Sequence, residues 1–217
     1  MRFQVLSGMN LKRRWLAFCR QAGAAGQEEQ AFSDLDRRYR EPGRHYHTWA
    51  HVASCLRELR HAGQGPAEAQ ALELALWFHD AVYRPGRGDN EQASSSLALR
   101  WASALGLPPA LGQRAAGLIL ATRHEPSGAP SPDPTVALML DIDLAVLGAA
   151  WSRYLRYERG IAREYSVMPS AAFLKGRARL LRGFLERPAL YATPGFRKQG
   201  RRARANLARA LARLARD

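Results

Sequence analysis

Cysteine is scarce in this chain: 217 residues hold only Cys19 and Cys55, each set in an apolar helical pattern. Two isolated thiols give neither a disulfide framework nor zinc-finger spacing, so the expectation is a cytoplasmic protein whose metal chemistry, if any, does without thiolate. Long apolar runs are missing too, and Met1 to Trp15 has no apolar segment leading to a small-residue cleavage site, so neither membrane insertion nor export is expected. Sustained period-two alternation is absent, which argues against a sheet. Acidic charge is outweighed, 19 Asp+Glu against 33 Lys+Arg, for a formal charge of +14. That balance attracts polyanions such as nucleotides or nucleic acid without selecting among them. Because Arg is spread through Ala-rich helical segments, its first role is that of a solvated helix former.

Helical periodicity punctuated by Gly and Pro is present throughout, and it predicts an all-α helical bundle in a single domain. Helices are expected over about Leu11 to Gln21, Gln27 to Tyr39, Thr48 to Gly63 and Pro66 to Asp80. Further helices are expected from Asp89 to Leu105 and near 110 to 123, 134 to 148, 150 to 165 and 170 to 186, with a basic amphipathic helix over Arg197 to Asp217. Thr48 suits an N-cap, Asp89 with Gln92 suits a capping box, and Asp133-Pro134 suits a cap followed by proline at the first helical position. The organisation read from this is a first helix with a short extension (1 to 25), a central domain (26 to 193) and a C-terminal helix packed on or extending it (194 to 217).

Polar residues in apolar settings carry the functional signal. The segment Ala71 to Phe78 is apolar on nearly every side and ends in His79-Asp80, where an imidazole and a carboxylate are costly unless compensated. A cation compensates both, and so does a hydrogen-bonded core pair. His51 lies in the first turn of the preceding helix, four residues after His47. Asp141 and Asp143 lie within Val136 to Leu147, the most apolar stretch of the chain, and point roughly 200° apart on a helix, so one metal takes only one of them. The larger neighbours of Asp143 favour it, with Asp141 as the alternative.

A lone His, a His-Asp about 28 residues later and a distant Asp on an apolar helix resemble the ligand order of the HD superfamily of metal-dependent phosphohydrolases. Six segments resemble one bacterial branch of it: Tyr46-His47-Thr48-x-x-His51, Trp77 to Tyr83, Asn90-Glu91, Thr122-x-His124, Asp141-x-Asp143-Leu144-x-x-Leu147-Gly148 and Arg163-Glu164-Tyr165. The likeness covers roughly residues 30 to 193. Phe173-Leu174-Lys175-Gly176-Arg177 departs from it, since Tyr-Arg-x-Gly-Arg is expected there.

The resemblance implies a divalent metal (Mn, Fe, Mg, Ni or Zn) on His51, His79, Asp80 and Asp143, and hydrolysis of a small phosphorylated molecule, a nucleotide foremost, by an activated water. Asp80, Glu91, His47 and His124 are the expected catalytic groups. Arg44, Tyr46, Tyr83, Asn90 and Arg123 are the expected substrate contacts. Each has a plainer reading: Glu91 suits a helix's first turn, His124 a helix C-terminus, and arginines fall beside motifs by chance in so basic a chain. The competing function is an idle module of the same fold that binds a nucleotide or nucleic acid.

Overall fold

The structure is a computed structural model describing residues 8–60, 66–123 and 131–215, with the side chains of 8–10 and 66–67 left aside. The all-α class expected from the sequence is observed: eleven α-helices and two short 3-10 turns, with no strand among the described residues. The packing divides the chain after Thr122 into two compact units. α1 packs against α2 within the first unit, and the C-terminal helix packs within the second.

The first unit holds α1 (Gly8–Gln21), α2 (Glu28–Tyr39), α3 (Trp49–Leu59), α4 (Pro66–Phe78), α5 (Asn90–Ala104) and α6 (Pro109–Ala121). α4 is its centre because its C-terminal half is apolar on nearly every side: Leu72, Leu74, Ala75, Leu76, Trp77 and Phe78 are fully buried, while Glu73 pairs with Arg14. Its end is walled by aromatic rings, with Trp15 edge-on to Trp77 at 5.4 Å and Trp49 edge-on to Trp77 at 5.9 Å. Tyr39 donates its hydroxyl to the Trp77 carbonyl at 3.0 Å, and Trp49 donates Nε1 to Asp36 at 2.7 Å. Trp77 and Phe78 are thus core residues, and the half-buried Trp49 packs over Trp77 where the chain leaves α4. α5 and α6 pack closely on small residues; a Cβ on Gly112 would meet the Cβ of Ala102 at 3.0 Å.

Local signals behave unevenly. Thr48 caps α3 as expected, its side chain accepting from the Ala50 N–H. The capping box at α5 does not form, because the Asp89 carboxylate pairs with the Arg87 guanidinium instead. The segment 63–65 and most of the Glu125 to Pro132 loop lie outside the described residues.

The second unit holds α7 (Pro134–Asp143), a 3-10 turn (Leu144–Gly148), α8 (Trp151–Glu164), a second 3-10 turn (Tyr165–Val167), α9 (Ser170–Glu186), α10 (Pro194–Arg197) and α11 (Gly200–Leu214). Asp133 caps α7 as expected, accepting from Thr135 and Val136. The helix expected over 134 to 148 gives way to the 3-10 turn at Leu144 because carbonyls there find partners outside the helix. Tyr191 donates its hydroxyl to the Leu144 carbonyl at 3.0 Å, and Asn206 donates Nδ2 to Leu147 and Ala149 at 2.8 and 2.9 Å. Gly148 is required here, since a Cβ would approach the Gln199 Cβ to 2.7 Å. The tail helix expected from Arg197 is observed as α11 from Gly200, preceded by the single turn α10.

Candidate metal centre

The Thr48 cap starts α3 so that His51 falls in its first turn, 5% exposed. α4 ends at Phe78, and His79 keeps the helical backbone bond to Ala75 before the chain turns at Ala81, which donates to the Phe78 carbonyl. His79 is 2% exposed, whereas the Asp80 side chain is 18% exposed and forms the open side of the group. His51 Nε2 lies 3.0 Å from His79 Nε2. The Asp80 Oδ2 atom lies 3.4 Å from the first and 3.1 Å from the second.

This triangle has the dimensions of three ligands around one cation. At metal–ligand distances of roughly 2.1 Å, adjacent donors stand about 3.0 Å apart on an octahedron and about 3.4 Å apart on a tetrahedron. The His79 tautomer fits as well. Its Nδ1 lies 3.1 Å from the Leu76 carbonyl, a pairing possible only with the proton on Nδ1, which makes Nε2 the atom a cation would take. Burial alone would raise the Asp80 carboxyl, but the imidazoles of His79, His47 and His51 outweigh it and hold it well below 3.8. It is a carboxylate, as a ligand must be.

A buried thiol lies beside this group, off the line on which His51 Nε2 would meet a cation. Cys55, one helical turn after His51 and buried, puts Sγ 3.7 Å from His51 Nε2 and 3.8 Å from Nδ1. The donor atoms of His51, Cys55 and His79 all lie within 4.8 Å of one another.

Around the group, Arg44 is a brace and not a substrate clamp. Its side chain is 3% exposed, and Nη1 donates to the carbonyls of His47 (3.0 Å) and Asp80 (2.7 Å), Nη2 to that of Ala81 (2.9 Å), with Glu41 taking the remaining N–H groups. All five donors are engaged, so none is left for a phosphate. Asn90 is likewise occupied: its amide accepts from the Arg84 N–H and donates to the Arg84 carbonyl, both at 3.0 Å, closing the loop before α5. Ser94 pins α5 to the same strand of chain through both backbone groups of Val82. Glu91 therefore starts a helix that is tied two to four residues beyond Asp80.

His47 stacks on Tyr83 with centroids 3.8 Å apart and stands edge-on to His51 at 6.0 Å. Tyr46 lies 4.8 Å from the His51 ring. The structure thus gathers His47, Tyr46 and Tyr83 at the rim of the group. His124 lies outside the described residues, and Arg123 is exposed at the start of the second unit.

Within the second unit the two aspartates differ. Asp141 is buried, and its carboxylate accepts from the N–H of Ala192 (3.0 Å), the N–H of Thr193 (2.7 Å) and the Thr193 hydroxyl (2.6 Å). Both its oxygens hold the segment before α10. Asp143 closes α7, half-buried, with no part in that clasp. Arg177, in the segment that departs from the family pattern, forms a buried bidentate pair with Glu158 at 2.8 and 3.1 Å and donates to the Tyr157 hydroxyl at 2.8 Å.

Comparison with known protein families, curated proteins and solved structures finds no match to this chain.

Proposed function

We propose that this protein is a metal-dependent phosphohydrolase of the HD type, acting on a small phosphorylated molecule, a nucleotide foremost. The observation that carries the reading is the 3.0, 3.1 and 3.4 Å triangle of His51 Nε2, His79 Nε2 and Asp80 Oδ2. His51, His79 and Asp80 would hold the metal, and Asp143 is the fourth ligand implied by the sequence resemblance. Asp141 is less suited, because its oxygens are committed to Ala192 and Thr193.

When bound, a divalent cation supplies Lewis acidity toward a water and a phosphoryl oxygen. The chain's own residues then divide the remaining work. Leu76 fixes the tautomer of His79, and Arg44 fixes the turn that carries Asp80. His47, held by Tyr83, offers an imidazole that can give a proton to a leaving oxygen. Glu91, in the first turn of α5, offers a carboxylate that can take a proton from water.

The test is to strip and reload the protein with Mn, Mg, Ni or Fe, then screen nucleotides and generic phosphoesters for phosphate release. Release that His79→Ala and Asp80→Ala abolish supports the reading; its absence under every metal rejects it. A second reading, a binding module for an anionic ligand, draws on a groove of about 620 Å³ lined by Arg37, Arg38, Arg100 and Trp101. Salt-dependent nucleotide or nucleic-acid binding that is indifferent to those two substitutions would favour it.

A further inference from the structure

We propose that the second unit carries a docking face for duplex nucleic acid, gripped by its phosphates without sequence selection. Arg156, Arg159 and Arg163 on α8 and Arg202, Arg209 and Arg213 on α11 form it. The inference does not rest on the hydrolase reading; it adds a partner to it.

Charge is divided unequally between the units. Residues 123–217 contain 18 of the 33 Lys+Arg and only 8 of the 19 Asp+Glu, so the second unit carries +10 of the formal +14. The first unit offsets surface arginines with nearby carboxylates, Arg37 with Asp34, Arg40 with Asp36 and Arg114 with Glu68. In the second unit the carboxylates are turned inward: Asp141 and Glu164 are buried, and Glu158 is taken by the buried Arg177. Glu186 is the one exposed carboxylate among its described residues, whereas all six arginines of the proposed face are exposed. Such an excess attracts a polyanion.

The excess is ordered in two rows. Arg156, Arg159 and Arg163 stand at i, i+3 and i+7 of α8, on the side away from the buried Tyr154 and Ile161. Arg202, Arg209 and Arg213 stand at i, i+7 and i+11 of α11 and share one face. The Arg209 guanidinium lies 4.1 Å over the ring of Trp151, the first residue of α8, which brings the row of α11 to the start of α8. Arg202 spends its Nε on the Gly148 carbonyl, just before α8, which fixes the guanidinium and leaves its terminal nitrogens for an anion. Both groups are held in place before a partner arrives, so meeting a phosphate costs less side-chain entropy, and the planar fork can engage two of its oxygens.

The chemistry of the face selects among polyanions. A helix that binds a membrane surface sinks Trp, Phe or Leu beside its basic residues. Here Tyr154, Ile161 and Leu207 are spent inside the unit, and Val167 is the one large apolar side chain exposed among its described residues. Single strands are gripped by open aromatic rings. Trp151 spends its ring on Tyr154, stacked at 5.5 Å, and on Arg209. Rows of arginine without either feature suit the regularly spaced phosphates of a duplex, whose backbone contacts fix position and carry no sequence.

The test is fluorescence anisotropy of full-length, metal-stripped protein with labelled DNA duplexes of two unrelated sequences, across a range of salt. Wild type is expected to bind both alike, with log K falling by about 4–5 per decade of salt, as five or six phosphate contacts require. Replacing Arg156, Arg159 and Arg163 together by Gln, or Arg202, Arg209 and Arg213 together by Gln, should weaken binding at least about tenfold and flatten the salt slope by roughly 2–3. The same loss of charge in the first unit, with Arg37, Arg40 and Arg100 replaced by Gln, should change affinity far less. His79→Ala should bind as wild type does, so failure of duplex binding leaves the hydrolase reading untouched and failure of phosphate release leaves this one untouched. Absence of duplex binding by wild type at low salt overturns the proposal whatever the variants do. Loss caused by the first-unit changes and not by the others overturns it in favour of the groove, and tighter binding to phosphatidylserine vesicles or to single strands than to the duplex overturns it in favour of those partners.

Discussion

His51 and His79 face each other through their Nε2 atoms at 3.0 Å, and the Leu76 carbonyl holds the His79 proton on the far side of the ring. Two neutral imidazoles can meet this way only with His51 donating from Nε2, and Asp80 competes for that same proton at 3.4 Å. A cation on the three atoms relieves the competition, because each donor then presents a lone pair.

The first prediction concerns acid. Because the imidazoles of His79, His47 and His51 outweigh the effect of burial, the Asp80 carboxyl is held well below 3.8 in the folded protein. A depressed folded value means that ionised Asp80 adds stability, fully present above the ordinary carboxylate range and lost as pH falls through the folded value. In metal-free protein, Asp80→Asn should flatten the acid limb of stability against pH, measured by urea unfolding. An unchanged acid limb would contradict the assignment.

Arg44 supplies the second. Its buried guanidinium ties the His47 carbonyl to those of Asp80 and Ala81. Arg44→Ala should lower metal affinity by about 10- to 100-fold through a loosened ligand turn, while leaving the salt dependence of any phosphate binding unaltered. Isothermal titration with Mn(II) reads the first effect. Arg44→Lys should rescue little, because one ammonium cannot span three carbonyls.

Asp141 and Asp143 separate in the third. Asp141→Ala strips acceptors from the Ala192 and Thr193 N–H groups and should cost about 2–5 kcal/mol of stability with metal content retained. Asp143→Ala should reduce metal content, as the fourth ligand implied by the sequence resemblance. Calorimetric melting and metal analysis on both variants distinguish the two roles.

The fourth concerns Arg177 and Glu158. Removing one partner of this buried pair leaves the other charge uncompensated, so Arg177→Met should destabilise by about 3–5 kcal/mol. The double change with Glu158→Leu should recover much of that loss in urea melts. A single change as mild as the double one would remove the pair from the account.

Much of this was legible in the residues. His79-Asp80 stood out because it ends the run Ala71 to Phe78, in which only Glu73 is charged, and the same run predicts the buried α4 that positions it. The Thr48 and Asp133 caps were readable because capping is decided within three residues. The rest depends on contacts between distant segments. Arg44 and Asn90 looked like free polar groups, and only the fold brings Asp80, Ala81 and Arg84 within their reach. The end of α7 at Asp143 depends on Tyr191 and Asn206, some 50 to 60 positions onward.

The most direct test of the metal centre is calorimetric titration of chelator-stripped protein with Mn(II), in wild type and in His79→Ala of confirmed helical content. The account predicts saturable binding by wild type and loss of it in the variant, with the wild-type melting temperature rising on saturation, since ligand at about 100 times Kd adds ~2.7 kcal/mol. Absence of Mn(II) binding to wild type, or equal binding by His79→Ala, would contradict it.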